Sequence, residues 1–269
     1  MMSSKYGIAS RLKSKRIQRL IASGKRADGR GFEEYRQITI KTNVLEKAEG
    51  SAEVFIGNTR ILVGVKIGVG TPFEDTPEEG VLVCNAEFVP IASPFFEPGP
   101  PDENSIELAR IVDRGLRSAG VVDFSKLDLI PGKLVHVINI DIYILNYDGN
   151  LIDASALAAI AALRTSVKPI YEVKEGEIKP TSIKEKLEVL KIPIAVTMVK
   201  IGNTLLVDPS ADEEEVMETR ITVTLEDEGN ICTIQKSGSE PLSFDEIKKA
   251  VNIAKVKASE IRSKLSGGE

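Results

Sequence analysis

Residues 134–165 read Leu134-Val135-His136-Val137-Ile138-Asn139-Ile140-Asp141-Ile142-Tyr143-Ile144-Leu145, then Asn146-Tyr147-Asp148-Gly149-Asn150-Leu151-Ile152-Asp153, then the run from Ala154 to Thr165, ASALAAIAALRT. The first part alternates as a strand does: His136, Ile138, Ile140, Ile142 and Ile144 share one side, and Val135, Val137, Asn139, Asp141, Tyr143 and Leu145 the other. Both sides read as largely covered. Asp153 is placed to cap a helix from Ala154 to Thr165, which is apolar nearly all round and Ala-rich, and so is predicted to lie buried close against a sheet. A long strand feeding a buried helix points to an α+β domain.

Upstream, Gln37 to Thr42, Ser51 to Ile56, Arg60 to Val69 and Val81 to Val89 are short apolar or alternating segments separated by Gly, Asn-Thr and Pro breaks, which predicts a β-meander. Phe96-Glu97-Pro98-Gly99-Pro100-Pro101 cannot be helix or central strand, because proline lacks an amide donor and restricts the residue before it. A helix is predicted just after it, from Asp102 to Ala119. Leu108, Ala109, Val112 and Leu116 share one face of it, Arg110, Arg114 and Arg117 the opposite face, and Gly120 is the stop. Leu12, Ile17, Leu20 and Ile21 give an earlier helix, Ser10 to Ser23.

Downstream, Lys168 to Lys186 is polar, alternates Glu with Lys, and reads as a connector. Strands are predicted at Pro193 to Lys200, Thr204 to Val207, Thr219 to Leu225 and Ile231 to Lys236, the last two joined through Asp227-Glu228-Gly229-Asn230. Ser243-Phe244-Asp245-Glu246 is a capping box opening a helix to about Leu265. Ile56-Gly57-Asn58-Thr59 is echoed by Ile201-Gly202-Asn203-Thr204, and each half proceeds from β to α. The expected organisation is a basic N-terminal helix and turn (1–30), a first lobe (31–167), a connector (168–186) and a similar second lobe with the C-terminal helix (187–269).

The 269 residues are 42% hydrophobic and 28% charged, enough to bury a core without disulfide staples. The single His, His136, excludes multi-His metal cages and the two-His zinc helix, and it reads as a core residue. Proton shuttling near neutral pH would fall to carboxylates, Lys or water. Cys84 and Cys232 stand far apart without a CxxC, no leader-like apolar segment opens the chain, and Ala154 to Leu163 is about half a membrane span, so a cytoplasmic location is expected. Net charge is −5, yet residues 1–30 hold nine Lys or Arg against one acid, Asp28. Such segregation suits either a nucleic-acid or partner contact or a solvated helix face.

Two loci invite chemistry. Arg110, Arg114 and Arg117, at spacings of four and three, set three permanently charged guanidinium forks along one helix edge, as phosphate binding requires; the competing reading pairs them with Glu107 and Asp113. Asp208 ends an apolar strand before Pro209 and the acidic run Asp212 to Glu215, and is the one metal candidate, for Mg²⁺, while the run itself reads as solvated loop. Asp148-Gly149-Asn150 opens like a calcium loop, but the sixth position is Asp153 rather than Gly and the twelfth Ala159 rather than Glu, which rejects an EF-hand.

Together, Arg26-x-Asp28-Gly29-Arg30, Phe73-Glu74-Asp75-Thr76-Pro77, Glu97-Pro98-Gly99-Pro100-Pro101-Asp102-Glu103-Asn104, Glu107-Leu108-Ala109-Arg110-x-x-Asp113-Arg114, Asp148-Gly149-Asn150 and Leu206-Val207-Asp208-Pro209 resemble the RNase PH family over nearly the whole chain. Within it the pattern is similar to the non-catalytic ring subunits of the archaeal exosome. The resemblance implies an RNase PH fold of two similar β-then-α lobes, the first like ribosomal protein S5 domain 2. It implies three copies alternating with three catalytic RNase PH-like partners in a hexameric ring topped by RNA-binding cap subunits. Such a ring degrades single-stranded RNA from the 3′ end by phosphorolysis; the complex uses inorganic phosphate and Mg²⁺, and this subunit binds no cofactor. Arg110 and Arg114, and by extension Arg117, would bind RNA backbone near the composite active site.

Catalytic members of the family carry an Asp-Gly(or Ala)-Gly-Ser/Thr-Arg segment after the long strand, which holds the attacking phosphate. Here that segment is Asp148-Gly149-Asn150-Leu151-Ile152, and Leu and Ile offer no donor. The Arg-rich stretch that precedes the helix in catalytic members is here Pro100-Pro101-Asp102-Glu103-Asn104. Asp208 matches a family acid associated with catalysis and Glu214 lies near the second, but an acid and a metal without the clamp have no positioned nucleophile, so Asp208 is read as a retained structural or vestigial feature. The expectation is a subunit with no catalytic residue of its own. The alternatives are a divergent phosphorolytic exoribonuclease acting alone through Asp208 and Arg110, and a purely structural ring scaffold.

Overall fold

The computed structural model describes residues 8–174 and 177–266. In chain order its elements are α1 (Ile8–Ala22), β1 (Ile38–Thr42), β2 (Gly50–Ile56), β3 (Thr59–Gly70), β4 (Val81–Phe88), α2 (Glu103–Ala119), β5 (Asp128–Ile130), β6 (Leu134–Asn146), α3 (Leu151–Thr165), β7 (Val167–Lys174), β8 (Glu177–Lys186), β9 (Ile194–Ile201), β10 (Thr204–Val207), α4 (Ala211–Glu214), β11 (Thr219–Leu225), β12 (Ile231–Gly238) and α5 (Phe244–Ser266). Residues 1–7 of the expected N-terminal segment, Lys5 among them, lie outside the described residues, as do 175–176 and 267–269.

The long strand β6 is the axis of the first sheet, whose order is β1-β2-β3-β6-β4 with β5 hooked onto the start of β6. Ile138, Ile140, Ile142 and Ile144 are buried on its inner side, and His136 with them. The other side departs from expectation: Val137, Asn139 and Asp141 are half-buried and Tyr143 is exposed, because α2 and α3 both pack on the inner side. Of the predicted meander only β1 to β3 holds. β4 lies beyond β6 and runs parallel to it, an arrangement that needs a crossover, and α2 supplies it.

The second sheet, β10-β9-β11-β12, is antiparallel throughout. The echoed motif is the same device in both sheets: Ile56 pairs with Thr59 and Ile201 with Thr204 across two-residue turns. Gly57 and Gly202 supply the positive φ, 57° and 59°, that the first turn position demands. α2 and α3 fill the space between the sheets: α2 contacts β4 and β12, α3 contacts β2, β3 and β9. α5 covers the far face of the second sheet along β9 and β11. One continuous apolar core runs from Val63 and Ile140 through Leu116 and Ile160 to Val196, Ile221 and Ala254.

Three local expectations need correction. α3 starts at Leu151 after Asn150 in left-handed backbone (φ 54°), so Asp153 lies within its first turn rather than at its cap. Residues 168–186 are more than a connector: β7 and β8 pair antiparallel, Val167 opposite Lys186, with Glu172, Lys184, Glu185 and Lys186 exposed. In α1, Ile17 and Ile21 dock on Val199, Ile201, Leu206 and Val216, while Leu12, predicted on the same stripe, is 64% exposed on the opposite side. No helix among the described residues is long and apolar enough to cross a membrane.

Candidate functional site

α2 begins where Asp102 accepts a hydrogen bond from the Ser105 amide at 2.8 Å and ends at Gly120 in left-handed backbone. Burial of Leu108, Ala109, Val112 and Leu116 turns Arg110 and Arg114 outward. Both are exposed, and neither makes a hydrogen bond or ion pair among the described residues. With Glu103, Ile106, Glu107, Ile111 and Gln235 of β12 they line a surface groove of about 440 Å³. Glu107 is not their partner, as it pairs with Arg220 of β11 at 3.0 Å. Arg117 is different. Its Nε donates to both oxygens of Asp113 at 2.9 and 3.0 Å, its Nη2 donates to the Leu82 carbonyl, and its guanidinium lies 5.7 Å from the Phe124 ring centre. Internal pairing thus accounts for Arg117 and leaves two guanidinium groups free.

Asp208 is fully buried, in left-handed backbone (φ 49°) just past β10. Its Oδ2 accepts from Arg30 Nη1 at 2.9 Å, from the Arg36 amide at 2.8 Å and from Arg36 Nε at 2.9 Å. Its Oδ1 accepts from Arg36 Nη2 and Asn150 Nδ2, both at 2.8 Å. These donors occupy the lone pairs a cation would need, so the surroundings of Asp208 fit a buried ion pair better than the weak Mg²⁺ candidacy its position in the sequence offered. Burial opposes ionisation of Asp208, yet the hydrogen bonds and charge of Arg36 outweigh it and hold the carboxyl below the usual range.

Asn150 couples Asp208 to a second buried acid. Its Nδ2 also donates to Asp153 Oδ2 at 2.9 Å, and Asp153 accepts from Tyr35 Oη at 2.6 Å, the Thr197 amide at 3.0 Å and Thr197 Oγ1 at 2.7 Å. Burial pushes Asp153 up to about 6 in spite of these donors. Nor is the acidic run a solvated loop. Glu213 takes Arg26 through Nε at 2.9 Å and Nη2 at 2.6 Å, with both side chains buried, and Asp212 pairs with Lys13. Glu214 accepts from the Asn150 amide at 2.9 Å and from Tyr147 Oη at 2.8 Å.

The entrance to α3 is therefore filled by the chain itself. A helix N-terminus offers free amides to an anion, but here Glu214 takes the Asn150 amide and the backbone of residues 209–211 rests on Gly149. Sequence reasoning missed Tyr35, Arg36, Asn150 and Thr197 as members of this centre. Arg26 and Arg30 were visible in the Arg-x-Asp-Gly-Arg motif, whereas Arg36 meets its partner across 172 positions with no local signal.

Two β-then-α lobes with paired helices between their sheets define the class: the chain belongs to the 3′ exoribonuclease family with the RNase PH fold, residues 34–169 matching domain 1 and 191–257 domain 2. More particularly, it is 52% identical over 251 residues to Exosome complex component Rrp42 of Thermococcus onnurineus, covering 93% of this chain and 92% of that one. It is 49% identical over 255 residues to Exosome complex component Rrp42 of Methanosarcina mazei, covering 95% and 94%. Among solved structures it matches a chain of the Archaeoglobus fulgidus exosome with RNA bound to the active site, at TM-score 0.88, 43% identity and coverage of 96% of this chain and 100% of that one. Rice Rrp46, at 18% identity and TM-score 0.68 over 90% of this chain and 98% of that one, shares the fold. The two-lobed RNase PH architecture implied by the motifs is the one observed.

Proposed function

We propose that this chain is a non-catalytic ring subunit of an archaeal exosome, holding RNA for 3′-to-5′ phosphorolysis by a catalytic RNase PH-like partner. Three copies alternate with three partners beneath RNA-binding caps, in the cytoplasm. In the reaction, inorganic phosphate attacks the terminal phosphodiester, releasing a nucleoside diphosphate and leaving a shortened 3′-hydroxyl end. The partner supplies the phosphate clamp and the Mg²⁺ site. The observation that carries this reading is the closed centre, where Glu214 and residues 209–211 occupy the α3 entrance and Arg30 and Arg36 saturate Asp208. Arg110 and Arg114, exposed and unpaired, take RNA phosphates, and Arg117, braced by Asp113, forms the rigid end of the stripe.

The test is an RNA decay assay with inorganic phosphate and Mg²⁺, on the chain alone and mixed with its partner. Silence alone and nucleoside diphosphate release by the mixture are expected. Phosphorolysis by the chain alone, abolished by Asp208→Ala, would overturn the reading. In the assembled complex, Arg110→Ala with Arg114→Ala is expected to make the slope of log affinity against log salt shallower by about 1.4, at about 0.7 per lost phosphate contact. An unchanged slope would support the scaffold alternative instead.

A further inference from the structure

We propose that the outward face of α1 is a second contact for the phosphate backbone of single-stranded RNA, separate from the α2 groove. Ile17 and Ile21, buried against Val199, Ile201, Leu206 and Val216, fix which side of α1 faces the protein. At about 100° per residue, Leu12, Lys15, Arg16 and Arg19 then project on the opposite side, and all four are exposed. Lys13 lies off this face, paired with Asp212. The side chains of Lys15, Arg16 and Arg19 make no hydrogen bond or ion pair among the described residues, nor does that of exposed Lys25 just beyond the helix. No acid occurs from Leu12 to Ala27, in a chain whose net charge is −5. Positive charge is therefore concentrated on this face while acids dominate the remainder.

Charge and shape favour a polyanion over a folded protein partner. A stable protein interface needs a dry apolar centre poor in Lys and roughly 1,000 Å² or more of buried surface. Among the α1 residues whose side chains are described, 12–22, the exposed large apolar contribution to the stripe is Leu12 alone. A phosphate chain needs no groove, since guanidinium forks and ammonium groups on a convex helix each neutralise one phosphate without reading a base. Position separates this contact from the first. α1 docks at the β10 edge of the second sheet, through Leu206, whereas the Arg110 groove opens at the opposite edge strand, through Gln235 of β12. Four strands at about 4.8 Å spacing set the two edge strands roughly 14 Å apart. RNA touching both contacts would cross the width of the second sheet. The assignment rests on the proposed function only for the identity of the polyanion.

The test uses the full chain, alone and assembled with its catalytic partner, and a fluorescein-labelled oligoadenylate, with anisotropy followed from about 50 to about 200 mM salt. The triple variant Lys15→Ala, Arg16→Ala, Arg19→Ala is expected to lower affinity at least tenfold at the low-salt end and to make the slope shallower by about two, three contacts at about 0.7 each. These positions are exposed and Ala favours helix, so the fold is retained. Should the triple variant fail to fold, Lys15→Ala and Arg19→Ala singly are each expected to change the slope by about 0.7. Unchanged affinity and slope would overturn the proposal. So would loss of assembly with the partner at unchanged slope, which would make this face a protein interface. Arg110→Ala with Arg114→Ala, measured in parallel, keeps the readings distinct: if only that pair has an effect the α1 contact falls, and if only the α1 variant has one the groove reading falls.

Discussion

Asp208 accepts five hydrogen bonds from Arg30, Arg36 and Asn150, and its two cationic partners are themselves about nine-tenths buried. Removing the carboxylate takes from two largely buried guanidinium groups the acid they share, leaving Arg30 with Asp28 and Arg36 with the Asp148 and Gly149 carbonyls, and breaking a buried pair from one side costs about 3–5 kcal/mol. Asp208→Ala is expected to lower stability by that order in urea unfolding at neutral pH. The direction with pH follows from its lowered folded pKa: its contribution is complete above the unfolded carboxylate value of about 4 and is lost as pH falls through the folded value. The loss of stability on acidification should therefore be smaller in the variant than in the parent. An equal acid-side loss in both would mean that Asp208 is not held ionised by Arg36. At this scale the sequence marks Asp208 as unusual for its place after an apolar strand, but a carboxylate that binds a cation and one that neutralises two arginines look alike until the partners are in place.

Where α3 begins, Gly149 has φ 85° and an added Cβ would lie 2.5 Å from both the Ala211 amide nitrogen and the Pro209 carbonyl oxygen. Gly120, after α2, has φ 66° with nothing within 4 Å of an added Cβ. Both substitutions to Ala meet the same backbone penalty, about 1 kcal/mol or a little more, but only Gly149→Ala must also displace a backbone segment. Gly149→Ala is expected to cost at least about 2 kcal/mol more than Gly120→Ala in thermal or urea unfolding. Equal losses would show that residues 209–211 yield freely. Both glycines stand out in the sequence as turn formers. That only one is clamped depends on α4 and its flanks arriving from 60 residues downstream, which no local pattern records. The same limit explains β4: its apolar run identifies a strand, but its place beside β6 is decided by the crossover through α2.

Across the whole molecule, the two family domains share one apolar core, because α2 and α3 are sandwiched between the sheets and α5 closes the far side. The expected consequence is one cooperative unfolding transition, with Tyr fluorescence, from five Tyr in a chain without Trp, coinciding with far-UV circular dichroism. Two separated transitions would contradict a continuous core. The sequence by itself determined the strands and helices with strong periodicity, the Ser243–Glu246 capping box, the paired Gly-Asn hairpins, the buried His136 and the family, because each is written in neighbouring residues or in motif order. Only the tertiary structure decided which charges are spent and which are free. Arg26 reaches Glu213 across 187 positions and Arg36 reaches Asp208 across 172, while Arg110 and Arg114 reach no acid at all among the described residues. Ion pairing depends on distance in space, and that distance is set by the packing of the two lobes.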